Sequence, residues 1–157
     1  MRRRVDRIGV ISDTHGLLRP EVPDVFKDVS LILHAGDIGS PEVLEGLRKL
    51  APVTAVRGNN DTGEWAKRIP ETRIVRAGAV SIYMLHNLKE MKRTPSARNP
   101  AVVISGHSHQ PSITHRDGVL FLNPGSAGPR RFKLPVTVAR LIIQGSDVQA
   151  ELINVVR

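Results

Sequence analysis

The chain has 157 residues, with 23 lysines and arginines against 15 aspartates and glutamates, a net charge of +8 and no cysteine. The length suits a single domain over residues 1–157, and 40 % apolar residues argue against disorder. Without cysteine there can be no disulfide, thiolate catalysis, cysteine-bound zinc or iron–sulfur cluster, and no run approaches the ~18 apolar residues of a membrane helix.

In chain order, residues 7–12 read as a short buried strand, stopped by the polar Asp13-Thr14-His15-Gly16. Residues 20–29 read as a short helix. Residues 31–34 form a second strand, broken at Ala35-Gly36-Asp37. Ser40-Pro41-Glu42 marks a helix start, with Ser40 as N-cap and Pro41 in the first helical position. Val43, Leu44, Leu47 and Leu50 give that helix an apolar stripe. Residues 53–56 are a third strand, ending at Gly58-Asn59-Asn60-Asp61. This alternation predicts a parallel sheet with crossover helices. Ligands bind beyond the carboxyl ends of such strands.

The second half is β-rich. Residues 73–75 and 80–85 read as strands around Ala77-Gly78, and residues 90–98 as a polar helix. Residues 101–105 are an apolar strand ending at Gly106-His107-Ser108-His109. Residues 112–115 and 119–122 flank Asp117-Gly118, a hairpin signal. After the turn Asn123-Pro124-Gly125-Ser126 comes a basic loop over residues 129–133, then a last hairpin from residues 136–143 and 148–155. The expected fold is α/β, with two packed mixed sheets flanked by helices.

The polar residues at the strand ends carry the chemistry. Asp13 and His15 follow the first strand, and Asp37 follows the second. Asn59, Asn60 and Asp61 follow the third, His86 ends a later one, and His107 and His109 follow another. Carboxylates, imidazoles and a carboxamide without thiolate suit Mn²⁺, Fe²⁺, Zn²⁺, Ni²⁺ or Co²⁺ better than Ca²⁺. Seven candidate ligands are too many for one such ion; they suit two ions roughly 3.5–4 Å apart with one carboxylate between them.

The ordered pattern Asp-x-His, Gly-Asp, Gly-Asn-x-Asp, His, Gly-His-x-His resembles the calcineurin-like metallophosphoesterase superfamily, and the resemblance runs from about Val5 to the C-terminus. The short length, the Gly-His-Ser-His element, the Asp-Gly hairpin and Asn-Pro-Gly-Ser resemble the small single-domain phosphodiesterases of the YfcE type. The resemblance implies an αββα sandwich and a metal-dependent phosphodiesterase. It implies that Asp13, His15 and His109 hold one metal, that Asn59, His86 and His107 hold the other, and that Asp37 bridges them. A water or hydroxide between the metals would attack phosphorus. Two divalent ions, Mn²⁺ first, are the expected cofactors.

Two positions depart from the superfamily pattern. Asn60 stands where many members carry histidine; a carboxamide is no general acid at neutral pH, but it can donate a hydrogen bond to a phosphate oxygen. Relatives often read His-Gly-His where this chain has His86-Asn87-Leu88. Three glycines, Gly36, Gly58 and Gly106, adjoin proposed ligands. Asp61 is either an orienting group or an Asx-turn residue, and His34 a hydrogen-bonded core histidine.

The basic charge favours an anionic partner, a small phosphate ester or nucleotide. Nucleic acid is less favoured, because the five aromatic residues form no stacking cluster. The other readings are a phosphomonoesterase or nuclease on the same core, a Vps29-like non-catalytic scaffold, and a basic nucleic-acid-binding module. The apolar run at residues 8–11 is too short for a signal peptide, so a cytoplasmic location without membrane contact is expected. No oligomeric state follows from the sequence.

Overall fold

The computed structural model describes residues 5–91, 101–131 and 133–156. Two five-stranded mixed sheets make up the fold. The first contains β1 (Val5–Ile11), β2 (Leu31–His34), β3 (Val53–Ala55), β9 (Thr137–Gln144) and β10 (Asp147–Asn154). The second contains β4 (Thr72–Ala77), β5 (Val80–Leu85), β6 (Val102–Ile104), β7 (Ser112–Arg116) and β8 (Val119–Asn123).

In the first sheet the spatial order is β10-β9-β1-β2-β3, with β1, β2 and β3 parallel and the final hairpin antiparallel beside β1. The last hairpin therefore returns to the strand that opens the chain. In the second sheet the order is β4-β5-β6-β8-β7, with β5, β6 and β8 parallel. Each sheet thus has three parallel strands whose carboxyl ends point the same way.

Alternation along the strands sorts the core into two layers. Ile8, Val10 and Leu33 face Ile82, Met84, Ile104 and Leu122 between the sheets. Ile11, Ile32 and Val138 face outward, against Val22, Phe26, Val43, Leu44 and Leu47. β1 is buried on both faces over its last four residues, as a central strand between two packed layers must be. Gly9 has a packing reason: a Cβ there would meet the Phe26 ring at 2.9 Å.

The two helices on this outer layer are shorter than the sequence suggests. Helix α1 spans only Val22–Val25. Pro23 lies in its first turn, and Phe26 leaves helical geometry at φ −100° and ψ 17°, so only one turn closes. Helix α2 spans Pro41–Arg48 and buries Val43, Leu44 and Leu47; Leu50 lies beyond its end. Ser40 occupies the N-cap position in extended geometry, but its side chain makes no capping hydrogen bond. Of the helix expected over residues 90–98, residues 92–98 lie outside the described residues. The chain before them closes a 3₁₀ turn at Leu88–Glu90. No helix among the described residues is long and apolar enough to cross a membrane.

Candidate metal centre

The loops after β1, β2, β3, β5, β6 and β8 all emerge at one end of the two sheets. Backbone hydrogen bonds stitch the first two together: the Asp13, His15 and Gly16 N–H groups donate to the carbonyls of Gly36, Asp37 and Ile38 at 3.0, 2.9 and 2.8 Å. The Gly106 N–H donates to the His86 carbonyl at 2.9 Å, joining the loops of the second sheet.

Two groups of ligand-type side chains result: Asp13, His15 and His109, and Asp37, His86 and His107. Within each group the donor atoms lie within 4.8 Å of one another. The groups adjoin. His15 Nε2 lies 3.8 Å from both Asp13 Oδ1 and Asp37 Oδ2. His86 Nε2 lies 3.2 Å from Asp37 Oδ2 and 3.8 Å from Asp13 Oδ1, and His109 Nε2 lies 3.3 Å from Asp13 Oδ1. Each carboxylate therefore touches histidines of both groups. Asn59 is exposed at the lip and lines a cavity of about 240 Å³ together with His86.

The backbone here is unusual. Non-glycine residues with positive φ are Asp13, His15, Asp37, His107 and His109, with φ from 45° to 72°, plus Asp117 in a hairpin turn. Side chains rarely adopt this region, and it costs of order 1–3 kcal/mol per residue. The glycines serve close approach. A Cβ on Gly58 would collide with Asp37 Oδ1, and one on Gly106 would collide with Ser12 Oγ.

Hydrogen bonds hold this geometry. Ser12 Oγ donates to Asp13 Oδ2 at 2.7 Å, and the His107 N–H donates to the same oxygen at 3.1 Å. Asn60 serves Asp37 twice, through its N–H to Oδ1 at 2.9 Å and its Nδ2 to Oδ2 at 3.1 Å. The buried Asp61 accepts from the backbone N–H groups of Ile38, Gly39 and Gly58 at 3.1, 3.0 and 2.9 Å. It clamps the loop after β2 to the loop after β3, the orienting role rather than a simple Asx turn. Asn123 Nδ2 donates to the Gly106 carbonyl at 3.1 Å, and Ser126 Oγ to the Asp13 carbonyl at 3.0 Å.

His34 is fully buried. Its Nδ1 accepts from the Gly36 N–H at 3.1 Å, so Nε2 carries the proton and donates to Thr14 Oγ1 at 3.0 Å. Thr14 Oγ1 donates onward to the Ile38 carbonyl at 2.8 Å. Burial pushes the His34 pKa down to about 4, which keeps this relay neutral. Ser12 and Thr14 were not singled out by sequence reasoning. Only their position marks them, Ser12 just before Asp13 and Thr14 between Asp13 and His15.

Electrostatics favour bound cations. Burial works to raise the carboxyl pKa of Asp13. The neighbouring His15 and the Ser12 hydroxyl, with His86 and His109, outweigh it and hold the group below its usual range. Burial likewise opposes ionisation of Asp37, but His86 and the Asn60 N–H hold it well below the carboxylate range. Burial lowers the His109 pKa, opposed by Asp13 and assisted by the Arg131 charge. His86 Nδ1 lies 2.8 Å from the Ala35 carbonyl and must donate to it, which leaves Nε2 as the electron-pair donor.

Asp13 Oδ1, His15 Nε2, His86 Nε2 and His109 Nδ1 are buried without a hydrogen-bond partner. Orphaned buried polar atoms are costly, and here Asp13 Oδ1, His15 Nε2 and His86 Nε2 lie together around two ionised carboxylates. The residues therefore fit divalent transition-metal ions, whose ligands are carboxylate oxygen and imidazole nitrogen. Around the centre, Arg57 pairs with Glu71 at 3.0 Å, and Arg130, Arg131 and His115 are exposed.

Residues 7–146 match the family model of the calcineurin-like phosphoesterase superfamily domain. A probable metallophosphoesterase of Methanothermobacter thermautotrophicus is 38 % identical over 94 % of this chain and 91 % of its own length. A solved archaeal phosphodiesterase is 27 % identical with a TM-score of 0.75, covering 94 % of this chain and 99 % of that one. A zinc complex of Vps29 from Entamoeba histolytica, 23 % identical, shares the fold at a TM-score of 0.74, covering 95 % and 99 %.

Proposed function

This chain belongs to the calcineurin-like phosphoesterase superfamily, and from that premise we propose that it is a metal-dependent phosphodiesterase acting on small phosphate diesters or nucleotides in the cytoplasm. The observation that carries this reading is the convergence of two carboxylate–histidine groups in which Asp13 Oδ1, His15 Nε2 and His86 Nε2 are buried without a hydrogen-bond partner. Asp13, His15 and His109 would hold one ion and Asn59, His86 and His107 the other, with Asp37 shared between them. Two divalent ions, Mn²⁺ first, supply Lewis acidity for a phosphoryl oxygen and a nucleophilic water at neutral pH.

The chain's own residues fix the rest. Asp13 and Asp37 stay ionised, as ligands must be. Asn60 gives one amide hydrogen to Asp37 and keeps a second for a phosphate oxygen. It offers no acid to a leaving group, so esters with good leaving groups are favoured. Cavities of about 820 and 240 Å³ adjoin the centre, the first at His107 and the second at Asn59. Space on both sides suits a diester, which carries two arms, better than a monoester. The complete ligand set also favours an enzyme over a scaffold.

Hydrolysis of bis-p-nitrophenyl phosphate with Mn²⁺, measured beside the monoester p-nitrophenyl phosphate, tests the reading. Chelator-sensitive turnover that favours the diester is expected. Absence of turnover with every divalent metal tried would overturn it.

A further inference from the structure

The larger cavity, about 820 Å³, lies over the outer face of the second sheet and opens beside His107. Its size is that of a small-molecule site. Phe121 on β8 provides an aromatic floor. Arg116, on the neighbouring strand β7, leans over that ring with its guanidinium carbon 4.6 Å from the centroid. A guanidinium seated over an aromatic ring is pre-organised, and its N–H groups are left to bind an anion. Among the described residues nothing acidic lines the cavity, whereas Lys89, His115 and Arg116 all do. Neither Arg116 nor Lys89 has a carboxylate partner there.

One wall relates this cation to the metal centre. Asn123 bonds the Gly106 carbonyl next to His107, and Phe121, beneath the guanidinium, precedes Asn123 by two residues on the same strand face. His107, Asn123, Phe121 and Arg116 line the same cavity, so a substrate arm that leaves the metal centre through it passes the ring and the guanidinium.

We propose that this cavity receives one ester arm of the substrate and selects an arm with a flat apolar body that carries its own anion, in chemical class a nucleoside phosphate. The ring packs on the Phe121 side, and Arg116 pairs with the second anion. This inference rests on the phosphodiesterase reading and extends it to the substrate.

The matched probes are thymidine 5′-(p-nitrophenyl phosphate) and the same diester bearing a 3′-phosphate. Mn²⁺-loaded protein should show kcat/KM about tenfold higher for the 3′-phosphorylated diester, carried by KM, as expected for a charge-assisted hydrogen bond. In Arg116→Gln that ratio should fall to about one. Arg76→Gln, an exposed cation on β4 away from the cavity, should keep it. A ratio near one in the native protein, or one unchanged in Arg116→Gln, overturns the inference. Failure of the function itself reads differently, as no turnover of bis-p-nitrophenyl phosphate. Even then, calorimetry with thymidine 3′,5′-bisphosphate and thymidine 5′-monophosphate decides the inference. Tighter binding of the bisphosphate that is lost in Arg116→Gln supports it, and equal affinities overturn it.

Discussion

The two ends of the sandwich use different chemistry to turn the chain. At the end opposite the metal centre, β4 and β5 join through Gly78-Ala79, and β7 and β8 through Asp117-Gly118. The glycines take positive φ of 57° and 78° there, as hairpin turns require. Asp117 also turns left-handed, at 53°, in a residue pair that suits it. At the metal end, five aspartates and histidines adopt the same region with no glycine in their place. Local sequence preference builds the first end. The second is held against local preference by Ser12, Thr14, His34, Asp61, Asn123 and Ser126. Strain gathered at one end of a fold marks where function resides.

The comparison can be broken most sharply at Asp37. Asp37→Ala removes a carboxylate that faces histidines of both ligand groups. It should abolish bound metal and lower turnover by about 10³-fold or more, since one preorganised charge-stabilising group alone accounts for that order. Metal content by mass spectrometry and the diester assay check this together, and an active Asp37→Ala would refute the assignment. Gly58→Ala comes next. Its Cβ would press on Asp37 Oδ1, and metal affinity should fall about 10- to 100-fold, as when a supporting group is disturbed. A metal titration reads this directly.

The His34 relay sharpens the comparison through pH. Its folded pKa, about 4, is below the ordinary imidazole value of 6.5, so the unfolded chain takes up a proton that the folded one refuses. Stability is therefore present above pH 6.5 and drains away as pH falls from 6.5 towards 4. For metal-free protein this group alone should cost about 2 kcal/mol between pH 7 and pH 5. Urea unfolding at the two pH values measures it, and His34→Gln should flatten that difference. The smallest effect belongs to the other end. Gly78→Ala forces a side chain into positive φ near the Gly145 carbonyl, and should cost about 1 kcal/mol. Its metal affinity and kcat/KM should match the native protein's.

Much of this was legible in the sequence, for a physical reason. A buried strand needs an apolar run, and a ligand needs a donor atom, and both are properties of single residues. Hence β2 and β5 match their expected bounds, and the six aspartates and histidines expected as ligands lie together. Pairing is a property of two distant segments. Nothing in residues 136–143 specifies that they lie beside β1, because an apolar run states a need for partners without naming them. His34 was legible as a hydrogen-bonded core histidine, but its partner Thr14 was not: Thr14 meets His34 and the Ile38 carbonyl only once β1 and β2 align. Helix α1 shows the opposite error, where an apolar spacing suited to a longer helix yields one turn around Pro23.

The Asp61 clamp has a consequence for how such a protein can change. The loop that carries Asn59 and Asn60 is fastened at its base by Asp61 and reaches Asp37 through the Asn60 backbone N–H. Neither attachment depends on which side chain residue 60 bears; only the third contact, from the Asn60 amide to Asp37 Oδ2, does. The architecture thus largely separates inheritance of the metal-binding frame from innovation at its rim. An altered codon at position 60 can retune the encounter with substrate at the cost of that one contact.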